Sequence, residues 1–171
     1  GQTFPQRGRA LQSRSRVKHV LVLRGDFGVD LNAAVAKFAP ARVVVKAEPQ
    51  DVCNIYFTGG TTGRPKGVLL SHRAWFHTYY AELLDFDLGW HEVFVIATPM
   101  THASGCLLLP VLLRQGRCVL LERFDPELLL ATIAAERATA TLVVPTMIYL
   151  LLDHPSRAAH DLSSLRNILY G

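Results

Sequence analysis

The chain has 171 residues, half of them hydrophobic, enough to bury one sizeable core. Its net charge is +4, yet Arg7, Arg9, Arg14, Arg16 and Lys18 crowd into an opening stretch without a single acid, and setting those five aside from 18 leaves 13 basic against 14 acidic residues. With no aromatic residues interleaved among the basic ones, this pattern argues against nucleic acid as a partner and for a polar, solvated lead-in over residues 1–16.

Strand-like and helix-like segments then alternate. Val17–Leu23 is a β-branched apolar run, Asp30–Phe38 has helical spacing, and Val43-Val44-Val45 reads as a short strand. Val52-Cys53-Asn54-Ile55-Tyr56-Phe57 and Val68-Leu69-Leu70 are strands on either side of a glycine-rich run. Ser71 sits in the capping position of a helix predicted to run to Phe86, with Gly89 just beyond it. Val93–Thr98 is a buried strand, Ala103–Arg114 a helix with Gly116 near its stop, and Cys118–Leu121 the next strand. Asp125-Pro126-Glu127 is a helix start, an N-cap followed by proline at the first position, and that helix continues to about Arg137. Thr141–Val144 is a strand, Pro145 opens a helix to about His154, and Asn167–Leu169 is a last strand. Short strands separated by longer helices indicate an α/β fold with a mostly parallel sheet flanked by helices.

Other classes are excluded along the way. Val93–Leu113 lacks Asp, Glu, Lys and Arg over 21 residues, long enough to span a bilayer. Pro99, Thr101, His102, Ser104, Gly105 and Pro110 interrupt it, so strand, loop and helix are expected there and no transmembrane segment. Cys53, Cys106 and Cys118 are odd in number and lack metal-ligand spacing, which predicts buried thiols. With no apolar leader, a reducing cytoplasm is the expected setting. His72, His77, His91, His154 and His160 have no ligand-spaced partners and are assigned to the surface or to caps.

The run Thr58-Gly59-Gly60-Thr61-Thr62-Gly63-Arg64-Pro65-Lys66-Gly67 is the richest in chemistry. Its glycines let a ligand approach the backbone, and successive amides in such turns make an anion-binding concavity. Three threonine hydroxyls and the Lys66 charge point the same way. A flexible linker would be bordered by polar sequence, a tight hairpin needs far fewer turn residues, and GxxxxGK[ST] spacing is absent. A phosphate-binding loop is therefore predicted. It and the segment Thr98–His102 both follow strands directly, which would turn both toward the crevice at the strands' carboxyl ends.

The same run resembles the threonine/glycine-rich phosphate loop of the adenylate-forming superfamily, which includes acyl- and aryl-CoA synthetases, peptide adenylation domains and luciferase. Thr98-Pro99-Met100-Thr101-His102-Ala103-Ser104-Gly105 looks like the family's P-x-x-H-x-x-G segment. Val144–Leu151 is similar to its V-P-T/P helix start, and Asp161–Gly171 to the strand leading into its adenine-contacting turn. The resemblance covers roughly residue 17 to the end, and implies that residues 17–171 form part of the large N-terminal, AMP-binding domain. Two positions depart from the pattern: Gly59 stands where serine is commoner, and Thr101 where an aromatic residue is frequent.

The resemblance implies activation of a carboxylic acid, fatty or otherwise hydrophobic, to an acyl-adenylate and its transfer to CoA, with ATP and Mg²⁺. Lys66 and His102 would be catalytic. Thr58, Gly59, Gly60, Thr61, Thr62, Gly63, Lys66 and Gly171 would hold the nucleotide, and Thr58 would reach Mg²⁺. Without the resemblance, His102 reads as a partly buried, hydrogen-bonded histidine. Motifs the family carries further downstream are missing, so the chain is expected to be an internal piece, inactive alone. A carrier-protein-loading adenylation domain and a non-catalytic nucleotide-binding module are the alternatives, and self-association is left open.

Overall fold

The computed structural model describes residues 4–23, 27–58 and 65–171. The chain divides into two compact units, Gly1–Lys46 and Ala47–Gly171.

In the first unit, α1 (Phe4–Arg14) is an eleven-residue helix where a solvated loop was expected. Straight-chain and alanine residues at Ala10, Leu11 and Gln12 favour helix once the turn has started. Only Leu21–Val22 of the predicted first strand pairs, as β1, in parallel with β2 (Val29–Asp30). Asp30 then caps the short helix α2 (Leu31–Val35), its carboxylate accepting from the Ala33 amide at 2.7 Å. The strand expected at Val43–Val45 does not form. Those valines are 81%, 76% and 76% exposed and lie in irregular backbone. β-Branched residues make a strand only where a neighbour can complete the ladder.

The second unit begins with an antiparallel hairpin, β3 (Val52–Thr58) and β4 (Lys66–Ser71). Ser71 caps α3 (His72–Asp85) as its sequence position predicts, accepting from the Ala74 amide at 3.2 Å. A four-stranded sheet follows, built from β5 (Val93–Ile96), β6 (Arg117–Leu120), β7 (Ala140–Val143) and β8 (Asn167–Tyr170). Its spatial order is β6-β5-β7-β8 and every pairing is parallel. The expected α/β architecture is present, with one correction: the hairpin forms its own two-stranded sheet and is not part of the parallel one.

Side chains alternate across the parallel sheet with the two-residue period of a strand. Phe94 and Ile96 point to one face, where Leu88, Leu107 and Val111 cover them. Val95, Ala97 and Val143 point to the other, against Leu129 and Ile133 of α6 (Pro126–Glu136) and Met147, Ile148 and Leu151 of α7 (Pro145–Leu152). Asp125 caps α6 with Pro126 at its first turn, accepting from the Leu128 amide at 2.9 Å.

The helix expected at Ala103–Arg114 is broken into α4 (Ala103–Cys106) and α5 (Leu108–Leu113). Pro110 explains the break. It has no amide to donate, and its ring would clash with the carbonyl four residues earlier, at Cys106, where α4 ends. No helix among the described residues is long and apolar enough to cross a membrane.

Near the amino-terminal ends of the strands, Glu92 is only 1% exposed and fully engaged. Its carboxylate accepts from the Gly89 amide at 2.9 Å, from Arg166 at 2.8 Å and from the Thr139 hydroxyl. Three chain segments are thereby tied beneath one sheet. Burying a carboxylate is costly unless it is paired and hydrogen-bonded, and here it is both.

Candidate functional site

The base of the predicted phosphate loop is closed. Thr58 and Lys66 are Cα partners in the β3–β4 ladder, and the Thr58 hydroxyl donates to the Lys66 carbonyl at 3.5 Å. Both residues are exposed, and Lys66 has no ion-pair partner among the described residues. Gly59, Gly60, Thr61, Thr62, Gly63 and Arg64 lie outside the described residues. Because the hairpin is separate from the parallel sheet, the carboxyl-end rule applies to His102 but not to the loop.

His102 sits where that rule puts it, just beyond β5, at the start of α4. The turn before it is tight: the His102 amide donates to the Pro99 carbonyl at 3.1 Å, and the Gly105 amide donates to the His102 carbonyl at 3.0 Å. Thr98 and Ser104 join hydroxyls across the turn. A Cβ on Gly105 would collide with the Met100 carbonyl, so glycine is required there. His102 itself is exposed, which corrects the partly buried histidine that its sequence setting alone suggested.

A cleft of about 520 Å³ opens at the carboxyl ends of β5, β7 and β8. Phe86, Leu142, Val144, Met147, Ile168 and Leu169 give it an apolar wall, while Thr98, His102, Ser104 and Tyr170 supply polar groups. Gly171 is part of the same wall, and an added Cβ there would meet nothing within 4 Å. The structure thus brings His102 and Gly171 to one cavity. Thr58 and Lys66 are not among its lining residues.

His102 and Ala103 also border a second recess of about 300 Å³. Tyr56 and Leu70 of the hairpin, Ala74, Trp75 and Thr78 of α3, and Cys106 complete its lining. Trp75 stacks on Tyr79 with ring centroids 5.3 Å apart. Burial pushes the Glu82 carboxyl up to about 7. The Tyr79 hydroxyl is raised, first by burial and then by Cys106 and Glu82, and the Cys106 thiol is raised by burial and then by Glu82. Cys118 is likewise raised by burial. The three cysteines are free thiols, half-buried instead of fully enclosed.

Of the histidines assigned to the surface, two meet a carboxylate. His160 Nε2 lies 3.1 Å from Glu127 Oε1, and His154 Nδ1 lies 2.9 Å from Ser156 Oγ, which donates to Glu127. These contacts, Ser156 first, lower the Glu127 pKa. No group of three His, Cys, Asp or Glu among the described residues is placed to hold a metal. Thr58 offers one exposed hydroxyl, already engaged with Lys66. The described residues alone therefore do not make a Mg²⁺ site.

A model of the family "AMP-binding enzyme" matches residues 2–171. The chain belongs to that family. It is 38% identical over 144 residues to a medium/long-chain-fatty-acid–CoA ligase, FadD8, of Mycobacterium tuberculosis, covering 84% of this chain and 25% of that protein. It is 40% identical over 123 residues to a feruloyl-CoA synthase of Amycolatopsis sp, covering 71% and 25%. Among solved structures, the amide bond synthetase McbA from Marinactinospora thermotolerans superposes with a TM-score of 0.79 at 36% identity, over 96% of this chain and 33% of McbA. The chain thus spans about a quarter of the length of the curated relatives it matches.

For this member of the family, the structure puts His102 and Gly171 in one cavity wall and Thr58 and Lys66 at the hairpin stem, and sequence reasoning missed the recess beneath α3. A signal for it existed. Trp75, Tyr79 and Glu82 fall at i, i+4 and i+7, one face of a helix, and a polar stripe facing inward marks a site or a network.

Proposed function

We propose that this chain supplies the acid-facing and triphosphate-facing parts of an AMP-forming ligase that joins a hydrophobic carboxylic acid to CoA, residues 17–171 contributing to its nucleotide-binding domain. The observation that carries the proposal is the apolar cleft at the carboxyl ends of β5, β7 and β8, with His102 and Gly171 both in its wall. Ligands of open parallel sheets gather at that end. The family match and the relatives named a fatty-acid–CoA ligase and a feruloyl-CoA synthase support it.

In the first step a carboxylate oxygen of the acid attacks the α-phosphorus of ATP. The bond from that phosphorus to the bridging oxygen breaks, and pyrophosphate leaves with its charge. In the second, the CoA sulfur, as thiolate, attacks the acyl carbon, a thioester forms and AMP departs. The first step asks the protein for positioning and charge stabilisation, with no covalent chemistry of its own. Lys66, exposed at the hairpin end, would meet the departing pyrophosphate together with the amides and hydroxyls of Thr58, Gly59, Gly60, Thr61, Thr62 and Gly63. His102 would orient the carboxylate at the mouth of the cleft, and Gly171 would lie against the adenine.

ATP–pyrophosphate exchange over a panel of carboxylates, measured on the whole enzyme of which this chain is part, tests the reading. Hydrophobic acids should support exchange, and Lys66→Ala should lower its kcat by about 10²-fold or more with the unfolding midpoint unchanged. Wild-type exchange in that variant would remove Lys66 from the mechanism. A panel in which no acid supports exchange would reject acid activation and favour a nucleotide-binding module without chemistry.

A further inference from the structure

A buried acid sits one turn before the wall of the cleft. Glu82 Oε2 is shut off from solvent without a hydrogen-bond partner among the described residues, and Glu82 enters no ion pair among them. Its neighbours offer no compensating charge. On α3 they are Tyr79, one turn back, and Asp85 at the helix end; from α4 it is Cys106, whose thiol Glu82 perturbs. Cys53 and Tyr56 of β3 lie beyond Tyr79. Arg114, at the end of α5, brings a cation to this side of α3, but its guanidinium donates to the Leu83 carbonyl at 3.3 Å and lies over Trp90, 5.6 Å from the ring centroid. Burying a lone carboxylate is costly, and the negative partial charge at the carboxyl-terminal end of a helix adds to that cost. Both effects favour the neutral acid. The same turn carries Phe86, whose amide donates to the Glu82 carbonyl at 3.2 Å and which lines the cleft of about 520 Å³.

We propose that Glu82 is a positioning residue: as the neutral acid it seats the last turn of α3 and holds Phe86 in the cleft wall, and its ionisation loosens that turn and weakens binding of the hydrophobic acid. Glu82 is half-buried as a residue, so a carboxylate regains water through a small outward movement of the turn that Phe86 shares. The direction follows from the charge. Burial raises the carboxyl from 4.5 to about 7, so the seated turn keeps its full advantage below pH 4.5 and loses it as pH rises through 7. By linkage, a ligand that binds the seated form also promotes proton uptake. The inference rests on the proposed binding of the acid in that cleft and adds a pH control to it.

The test is calorimetric titration of the whole enzyme with octanoate and with octanamide, without ATP, about one pH unit either side of 7. The amide carries no charge, so it separates Glu82 from any charge effect of His102 at the cleft mouth. Both ligands should bind about fivefold or more weakly at the higher pH. With octanamide, buffers of different ionisation enthalpy should reveal proton uptake on binding. Glu82→Gln, neutral throughout, should keep the tighter affinity for octanamide at both pH values and take up no proton. Amide exchange in the wild-type enzyme, corrected for intrinsic base catalysis, reads the turn without a variant. Residues 83–88 should lose protection at the higher pH while Val93–Ile96 of β5 keep theirs. A pH dependence of octanamide binding that survives Glu82→Gln, equally weak binding by that variant at both pH values, or unchanged exchange at 83–88 would overturn the proposal. Failure of both ligands to bind at the lower pH would do so as well. ATP–pyrophosphate exchange keeps the two readings apart. Binding under pH control without exchange would sustain the role of Glu82 and sink acid activation, and exchange with pH-independent binding would do the reverse.

Discussion

Strand β5 reads Val93-Phe94-Val95-Ile96 and strand β3 ends Ile55-Tyr56-Phe57-Thr58, and apolar content alone does not distinguish them. Their fates differ sharply. Phe94 is 0% exposed, Phe57 73%. The first strand has a paired neighbour on each side and helices on both faces. The second belongs to a two-stranded ladder whose described cover includes Trp75 of α3 against Tyr56, ring centroids 6.0 Å apart. An isolated hairpin has little apolar surface to bury, whereas a sheet with two covered faces can bury nearly all of it. The lesson is a division of labour. The parallel sheet is a firm base that fixes His102 and Gly171, while the hairpin presents Thr58 and Lys66 from a region in which burial contributes little.

The largest expected effect falls on the sheet. Phe94→Ala should cost about 3–5 kcal/mol in urea unfolding, and a loss as small as that of a surface residue would erase the contrast. Glu92→Ala comes next, at about 2 kcal/mol, because it releases the Gly89 amide, Thr139 and Arg166 together. Arg166, whose side chain is 59% exposed, can recover water, which keeps the loss below that of a fully buried pair.

Between the two regions, Glu82 predicts a pH dependence. Its folded pKa, about 7, lies above the ordinary 4.5, so the folded chain holds the proton more tightly. Its stabilising contribution is complete below pH 4.5 and is lost as pH rises through 7. Glu82→Gln should flatten the fall in melting temperature across that window, and an unaltered slope would mean the carboxyl is better hydrated than its setting suggests. Smallest of all, Phe57→Ser should shift the midpoint by no more than about 0.5 kcal/mol. A large loss there would show that the hairpin is as well buried as the sheet.

Much of this was legible where the signal is local. Ser71 and Asp125 cap their helices as their positions predict, and the strand–helix alternation from Val93 onward gives the parallel sheet directly. What was not legible depends on neighbours distant in sequence. Val43–Val45 has strand residues but no ladder to join. Pro110, by contrast, is a local signal that was passed over: a proline inside the predicted Ala103–Arg114 helix already forbids a continuous run, and the break falls at Leu107. Glu92 is buried only because three segments converge on it. The recess exists because α3 lies across a hairpin that the sequence placed in a single sheet with the other strands.

The absence of any side chain at position 105 carries an evolutionary implication. Met100's carbonyl occupies the space that even a methyl group would need, so the lining of the recess cannot be varied by mutating that site. Diversification is channelled to the flanking positions, Ala103 and Cys106, which face the recess and can change size while the turn stays intact.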